Sequence, residues 1–253
     1  MSQDKPQTIA EAILLAGGLG TRLASVLPGQ PKCLAPVLGR PFLFHLFDQL
    51  YGQGVRRIVL SLGYRSDQII SALGDYRQTE MQIDHLVEAA PLGTGGGLRH
   101  VLGQTGHESL LVLNADSYIP FSLKDFSAFH RQGKWKASLI SMFLKDAGRF
   151  GLLEIAPTGQ VRSFKEKAAG SSGFINAGIY LIERELLSAL PDNVALSLER
   201  DILPTLTAPG QLGAMCVPGP FIDIGIPKDY ARAESFLAGL QKPELISLGP
   251  NAL

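Results

Sequence analysis

The sequence predicts an α/β fold, a mostly parallel sheet covered by helices. Three observations carry that expectation. Short apolar runs alternate with segments of helical periodicity through the first half of the chain. Several of those runs end in glycine-rich or acidic loops, where open α/β sheets bind their ligands. After about residue 137 strand-like segments follow one another with few helices between them, which adds mixed or antiparallel strands.

Taken in order, Ala12-Ile13-Leu14-Leu15-Ala16 is a continuous apolar run closed by Gly17-Gly18, the pattern of a strand buried on both faces. Phe42, Leu43, Leu46, Phe47 and Leu50 mark one helix face, ended by Gly52 and Gly54. Ile58 to Leu62 is a second buried strand, Asp67 to Leu73 a short helix, and Met81 to Val87 an alternating strand. A glycine cluster precedes a helix expected at Leu98 to Leu102, and Leu110 to Leu113 is a further buried strand running into Asn114-Ala115-Asp116. In the second half Ala137 to Leu144, Gly151 to Ile155, Val161 to Phe164 and Phe174 to Ile182 read as strands. Pro227 to Leu237 reads as a closing helix with proline in its first turn. No repeat, low-complexity stretch or linker interrupts the 253 residues, so one domain is expected, with halves at about 9–135 and 136–237 and a loosely held tail at 238–253.

Composition narrows the function. Lys plus Arg equals Asp plus Glu, which disfavours a nucleic-acid or membrane-surface binder, since these carry a basic excess. Any phosphate must therefore be held by a few local groups. The two cysteines, Cys33 and Cys216, form neither a disulfide framework nor a zinc motif. The first eleven residues lack the apolar run of a signal peptide, and no stretch approaches a membrane span, so the cytoplasm is the expected location.

The strongest local signal is Leu15-Ala16-Gly17-Gly18-Leu19-Gly20-Thr21-Arg22 with Pro31-Lys32 downstream. Glycines let the backbone approach a ligand and offer N–H groups to phosphate oxygens. Arg22 and Lys32 add two cations for the same phosphates. No Gly-Lys-Ser/Thr follows, so this is not a Walker A loop, and Leu23 occupies the third glycine position of the dinucleotide fingerprint.

With these residues the chain resembles the sugar-phosphate nucleotidyltransferases, from about Glu11 to about Phe236. Five later segments match in order: Pro91-Leu92-Gly93-Thr94-Gly95-Gly96, Asn114-Ala115-Asp116, Phe164-Lys165-Glu166-Lys167, Asn176-Ala177-Gly178 and Phe221-Ile222-Asp223-Ile224-Gly225. The resemblance implies a Rossmann-like three-layer α/β/α core, its mixed, mostly parallel sheet extended by a sugar-binding β layer. It makes 9–135 the nucleotide-binding half and 136–237 the sugar-phosphate-binding half. It assigns Mg²⁺ to Asp116 and Asp223, two carboxylates of the kind this hard cation prefers. It assigns the nucleotide to Leu15, Ala16, Gly17, Gly18, Gly20, Thr21, Arg22, Pro91, Gly93, Thr94 and Asn114. On the sugar side it assigns hydroxyls to Glu166 and phosphate to Lys167, with Asn176 and the Gly151 and Gly178 backbones lining the pocket. The chain has Ala168 where the family pattern carries proline.

Arg22, Lys32, Asp116 and Asp223 are thus the expected catalytic set, and the implied partners are a nucleoside triphosphate and a sugar 1-phosphate, with a homodimer left open. Pro91 to Gly96 resembles the base loop of the guanylyl branch, which points to GTP. Glu88, at the end of the preceding strand, is the expected reader of guanine, because an acceptor-only carboxylate suits the two neighbouring donors on its pairing edge. The short chain, without a C-terminal β-helix extension, points to a heptose 1-phosphate acceptor, with mannose 1-phosphate next and uridylyl or thymidylyl transfer to a hexose phosphate third. Two other classes compete. A catalytically silent nucleotide-sugar sensor need not retain all four catalytic residues, and a dinucleotide-dependent oxidoreductase is disfavoured by Leu23. His45, Cys33 and the phenylalanines from Phe121 to Phe129 are expected to be packing residues.

Overall fold

The structure is a computed structural model, and it describes residues 9–18, 20–78, 80–165 and 170–240. Strand β1 (Glu11–Ala16) leads through two short 3₁₀ turns, Thr21–Leu23 and Lys32–Leu34, to the small ribbon β2 (Pro36–Val37) and β3 (Arg40–Pro41). There follow α1 (Phe42–Gly52), β4 (Arg57–Leu62), α2 (Ser66–Leu73), β5 (Gln82–Val87), α3 (Gly93–Val101), β6 (Ser109–Asn114), β7 (Ser117–Tyr118) and α4 (Leu123–Gly133). The second half supplies β8 (Ala137–Leu144), β9 (Leu152–Ile155), β10 (Val161–Lys165), β11 (Gly173–Glu183), α5 (Arg184–Ser188) and β12 (Leu212–Cys216). It closes with β13 (Ile222–Asp223), α6 (Pro227–Tyr230) and α7 (Ala233–Leu240).

Among the described residues one nine-stranded sheet runs through both halves. Strands β5, β4, β1 and β6 are parallel neighbours. The long β11 then pairs antiparallel with β6, β8 and β9 and so carries the second half onto the first. Strand β12 lies parallel to β8, and β10 pairs with β9.

Period-two side-chain alternation sorts the apolar runs between two cores. Ala12, Leu14, Ile58, Leu60, Leu62, Leu111 and Leu113 face the core covered by α1, α2 and α7. Ile13, Val59, Leu110 and Val112 face the opposite core with Leu98 of α3 and Leu187 of α5. That is the three-layer arrangement expected from continuous apolar strands. The α1 stripe of Phe42, Leu46, Phe47 and Leu50 is almost completely buried, each side chain contributing about 1.5–3 kcal/mol relative to exposure.

Two helices differ from expectation. Helix α3 begins at Gly93, so the glycine cluster forms its first turn rather than preceding it. The closing helix is two pieces, α6 and α7, separated by the turn at Ala231-Arg232. The phenylalanines near α4 pack as expected: Phe126 is fully buried, with Phe121 and Phe129 partly buried against the same core.

Candidate active site

Strands β1, β4, β5 and β6 all point their carboxyl ends at one cleft, where β1 is flanked by a strand on each side. The cleft holds a cavity of about 320 Å³. Leu15, Ala16, Gly17, Gly18 and Gly20 line it from the β1 side. Glu88, Pro91, Gly93 and Thr94 line it from the β5–α3 connection, and Asn114 and Asp116 from the end of β6. Gly20 has a φ of +62°, the left-handed turn that starts the 3₁₀ segment after the loop. Thr21 and Arg22 lie in that segment, exposed and outside the lining of the cavity.

Lys32 is the cation the fold delivers. Its ammonium forms an ion pair with Oδ2 of Asp116, whose Oδ1 accepts from Ser117 Oγ at 3.1 Å. Burial pushes the Asp116 carboxyl up, but Lys32 and the Ser117 hydroxyl outweigh it and hold the group below the usual range. Asp223 comes to the same place through β13, which pairs antiparallel with β7 so that Asp223 faces Ser117. The N–H of Ile224 donates to the carbonyl of Asp116 at 3.0 Å. Burial, and then the charge of Asp116, raise the Asp223 carboxyl above its usual range despite Lys32 and Arg149. Asp223 Oδ1 accepts from Gly225 N–H at 2.5 Å and lies 3.5 Å from Arg149 Nη2. Among the described residues no cluster of three or more His, Cys, Asp or Glu side chains forms a metal cage. Two part-buried, mutually repelling carboxylates that leave other positions open fit Mg²⁺, which retains waters and phosphate oxygens.

A second cavity, about 500 Å³, is lined by Asp223, Arg149, Phe150, Phe221 and Asp229 among others. It also includes Gly170, which follows the segment holding Glu166 and Lys167. Those two residues lie outside the described residues. The two carboxylates therefore stand one on each cavity, with the β7–β13 pair joining them.

The expected sugar-side residues meet the end of β6. Ile179 pairs with Leu113, which sets Gly178 beside Asn114; Gly178 has a φ of +79°, and a Cβ there would come within 2.8 Å of Asn114 Nδ2. Ile175 pairs with Leu152, so continuing that register brings Asn176 beside Gly151. The Asn176 amide is engaged within the protein, Oδ1 accepting from Gly178 N–H at 3.0 Å and Nδ2 donating to Tyr180 Oη at 2.9 Å. Asn114 Oδ1, in contrast, is buried with no hydrogen-bond partner among the described residues.

Glu88 lines the cavity, and it also braces the loop. Its Oε2 accepts from Leu92 N–H at 2.9 Å and its Oε1 from Ser61 Oγ at 3.2 Å. The glycines that follow leave room for protein as well as ligand. Cβ atoms at Gly93 and Gly96 would stand 2.6 Å from the carbonyl oxygen of Leu196 and 2.4 Å from that of Val194. The segment 194–199 therefore packs directly on the α3 entry, and sequence reasoning gave it no role. In the sequence, apolar Val194-Ala195-Leu196 passes into the mixed Ser197-Leu198-Glu199-Arg200-Asp201, which has no periodicity to mark it. Cys33 and His45 are packing residues as expected. Burial and the charge of Asp116 push the Cys33 thiol up to about 12. Burial lowers the pKa of His45, whose Nε2 lies 2.9 Å from the carbonyl of Val37.

A glycine-lined cavity at the strand ends, with Lys32 and Asp116 on its wall and Asp223 beside them on the adjoining cavity, is the site of an enzyme that handles nucleotide phosphates. The chain belongs to the nucleotidyl transferase family, whose model matches residues 11–239. It is 34% identical over 227 residues to the D-glycero-alpha-D-manno-heptose 1-phosphate guanylyltransferase of Aneurinibacillus thermoaerophilus, covering 90% of this chain and 98% of that one. It is 30% identical over 230 residues to the mannose-1-phosphate guanylyltransferase of Mycobacterium tuberculosis, covering 90% of this chain and 63% of the relative. The crystal structure of HddC from Yersinia pseudotuberculosis superposes with a TM-score of 0.80 at 35% identity, covering 90% of this chain and 99% of that one. The same protein has been solved complexed with GMP-PN. Among the described residues no helix is long and apolar enough to cross a membrane.

Proposed function

We propose that this nucleotidyltransferase moves a guanylyl group from GTP to the phosphate of D-glycero-α-D-manno-heptose 1-phosphate, giving GDP-heptose and pyrophosphate in the cytoplasm for surface polysaccharide synthesis. The observation that carries the reading is the pair Asp116 and Asp223 at the junction of two cavities, with Lys32 on the nucleotide side and Arg149 on the other. Two substrates that each bring a phosphate to one point require such a floor. The near end-to-end match to a heptose 1-phosphate guanylyltransferase supports the heptose over mannose.

In this reading an oxygen of the sugar phosphate attacks the α-phosphorus of GTP in line. The bond from that phosphorus to the bridging oxygen breaks, and pyrophosphate leaves with the electron pair. The attacking phosphate is already ionised, so no side chain has to remove a proton. Catalysis is then positioning and charge stabilisation. Asp116 and Asp223 would hold Mg²⁺, which would supply positive charge to the phosphates. Lys32 neutralises charge at the α-phosphate, and Arg22, on the exposed turn after the loop, meets the departing pyrophosphate. Leu15 to Thr21 carry the triphosphate, with Gly17, Gly18 and Gly20 presenting backbone N–H groups. Glu88 uses its remaining lone pairs for guanine, within the loop of Pro91, Gly93 and Thr94. Asn114 Oδ1 accepts a substrate hydroxyl. Gly151, Glu166, Lys167, Asn176 and Gly178 form the acceptor pocket.

The test is a screen of pyrophosphate release with four nucleoside triphosphates against heptose, mannose and glucose 1-phosphates, with Mg²⁺ or EDTA. GTP with heptose 1-phosphate and Mg²⁺ should give the highest kcat/KM. A preference for UTP or dTTP, or turnover undiminished in EDTA, defeats the reading.

A further inference from the structure

The two substrate sides are tied together by a hydrogen-bonded chain that none of the assigned roles uses. Its centre is Glu199, in a single π-helical turn, Leu198–Ile202. Oε2 of Glu199 accepts from Thr94 Oγ1 at 2.8 Å and from Ser197 Oγ at 3.1 Å. Oε1 accepts from Tyr180 Oη at 3.1 Å. Tyr180 is fully buried, and its Oη accepts in turn from Asn176 Nδ2 at 2.9 Å. Thr94 Oγ1 accepts from Leu198 N–H at 2.7 Å. Thr94 is on the α3 entry that lines the nucleotide cavity, and Asn176 is in the β11 bulge, which the guanylyltransferase reading sets on the acceptor side.

Every member has one arrangement open to it. A carboxylate only accepts, so the hydroxyls of Thr94, Ser197 and Tyr180 must all point at Glu199. Tyr180 gives its only proton to Glu199, so its oxygen is left to accept from the Asn176 amide. That amide, whose Oδ1 accepts from Gly178 N–H, is then fixed in orientation. The path from the nucleotide loop to the acceptor bulge is four side chains long, and hydrogen-bonded networks of this kind rigidify what they join. The packing of Leu196 on Gly93 and Gly95 holds the same segment against the loop, with Gly95 N–H donating to the Leu196 carbonyl at 2.8 Å.

We propose that Glu199 is a positioning residue that couples the two substrate sites, holding Thr94 on the nucleotide loop and, through Tyr180, Asn176 on the acceptor bulge, so that either substrate raises affinity for the other. The proposal rests on the guanylyltransferase reading, in which Thr94 and Asn176 face the two substrates. Ordering the loop around GTP fixes the Thr94 hydroxyl, and the chain transmits that order to the Asn176 amide. By linkage the acceptor has the same effect on GTP.

The test is the affinity of α,β-methylene-GTP, which cannot be cleaved at the reacting bond, measured calorimetrically with Mg²⁺ alone and with saturating heptose 1-phosphate. In the wild type the ratio of the two affinities should lie in the range of about 5–150-fold usual for coupled sites. Glu199→Gln inserts a donor among three hydroxyls that need an acceptor, and Tyr180→Phe removes the middle link. Each should bring the ratio close to one while the analogue's own affinity changes far less. A residue that merely braced the fold would lower the melting temperature and leave the ratio intact. If Glu199→Gln does not fold, Tyr180→Phe decides the matter alone. An unchanged ratio in the folded variants, or a wild-type ratio of one, overturns the coupling and leaves the guanylyltransferase reading standing. A wild type that binds neither compound overturns both.

Discussion

Replacing Lys32 with methionine keeps most of the side-chain length and removes the charge beside two part-buried carboxylates. In the wild type its ammonium pairs with Asp116 and moderates the effect of burial and of Asp116 on Asp223. Loss of a preorganised charge donor typically lowers kcat by about 10²–10³, equivalent to about 2.7–4 kcal/mol of barrier. Folding suffers as well. Breaking a fully buried ion pair costs about 3–5 kcal/mol, whereas an exposed pair is worth about 0–1 kcal/mol. The Lys32 and Asp116 side chains are 17% and 26% exposed, an intermediate case. A loss of about 2 kcal/mol is therefore expected between those limits. At about 2–4 °C per kcal/mol for a chain of this size, the melting temperature falls by about 4–8 °C.

In the proposed reading Mg²⁺ would offer the two carboxylates a replacement cation, so the two losses separate. In EDTA the variant should melt well below the wild type, and added Mg²⁺ should close most of that gap. The turnover defect should persist at saturating Mg²⁺, because the α-phosphate still lacks its lysine. Pyrophosphate release and thermal melts in the two buffers read both quantities. A defect confined to KM for the sugar phosphate, or a melting deficit identical with and without Mg²⁺, refutes the placement of Lys32 between the triphosphate and the metal.

Three further changes probe other parts of the site. Asp223→Asn keeps the acceptor for Gly225 N–H and removes a carboxylate that burial and Asp116 disfavour, so it should raise the metal-free melting temperature while nearly abolishing turnover; near-normal Mg²⁺-dependent activity would discard the metal assignment. Glu88→Gln should lower kcat/KM for GTP by about 10–150-fold, the value of a hydrogen bond to a charged group, and affect UTP little; an unchanged GTP-to-UTP ratio would confine Glu88 to bracing Leu92 and Ser61. Gly96→Ala places a methyl group 2.4 Å from the Val194 carbonyl and should destabilise the fold by about 1–3 kcal/mol, visible as a lower urea midpoint; a midpoint equal to the wild type would show that 194–196 yields freely.

The sequence made the sheet legible because strands buried on both faces leave continuous apolar runs, and Ile58 to Leu62 or Leu110 to Leu113 admit little else. It also singled out Lys32, Asp116 and Asp223, which the fold brings near one another, through motif and not through periodicity. The pairing of β7 with β13 was invisible, since two-residue strands carry no period to detect. Gly93 to Gly97 read as room for a ligand alone, but the missing Cβ atoms also admit the carbonyls of Val194 and Leu196 from the other half of the chain. Glycine in a sequence declares a close approach without naming what approaches. Arg22 matched its motif, yet its exposed turn leaves it outside the cavity lining, because local sequence fixes the loop and not the long side chain that leaves it.

The site also explains where its own stability comes from. Two aspartates distant in sequence are brought to one point by a pairing only two residues long, which is marginal by itself, and the carboxylates repel. Apolar anchors on either side hold the pair in place. Ile222 and Ile224 are buried to 1% and 0% exposure around Asp223, contributing about 1.5–3 kcal/mol each. Tyr118 of β7 meets Phe236 of α7 edge-on at 6.3 Å between ring centroids. Lys32, Arg149, Ser117 Oγ and Gly225 N–H offset part of the charge. In the proposed reading a divalent cation would remove the remaining repulsion on binding, so the arrangement that weakens the metal-free fold would also give the ion its affinity. A sequence optimised for stability alone would place at most one of the two carboxylates there.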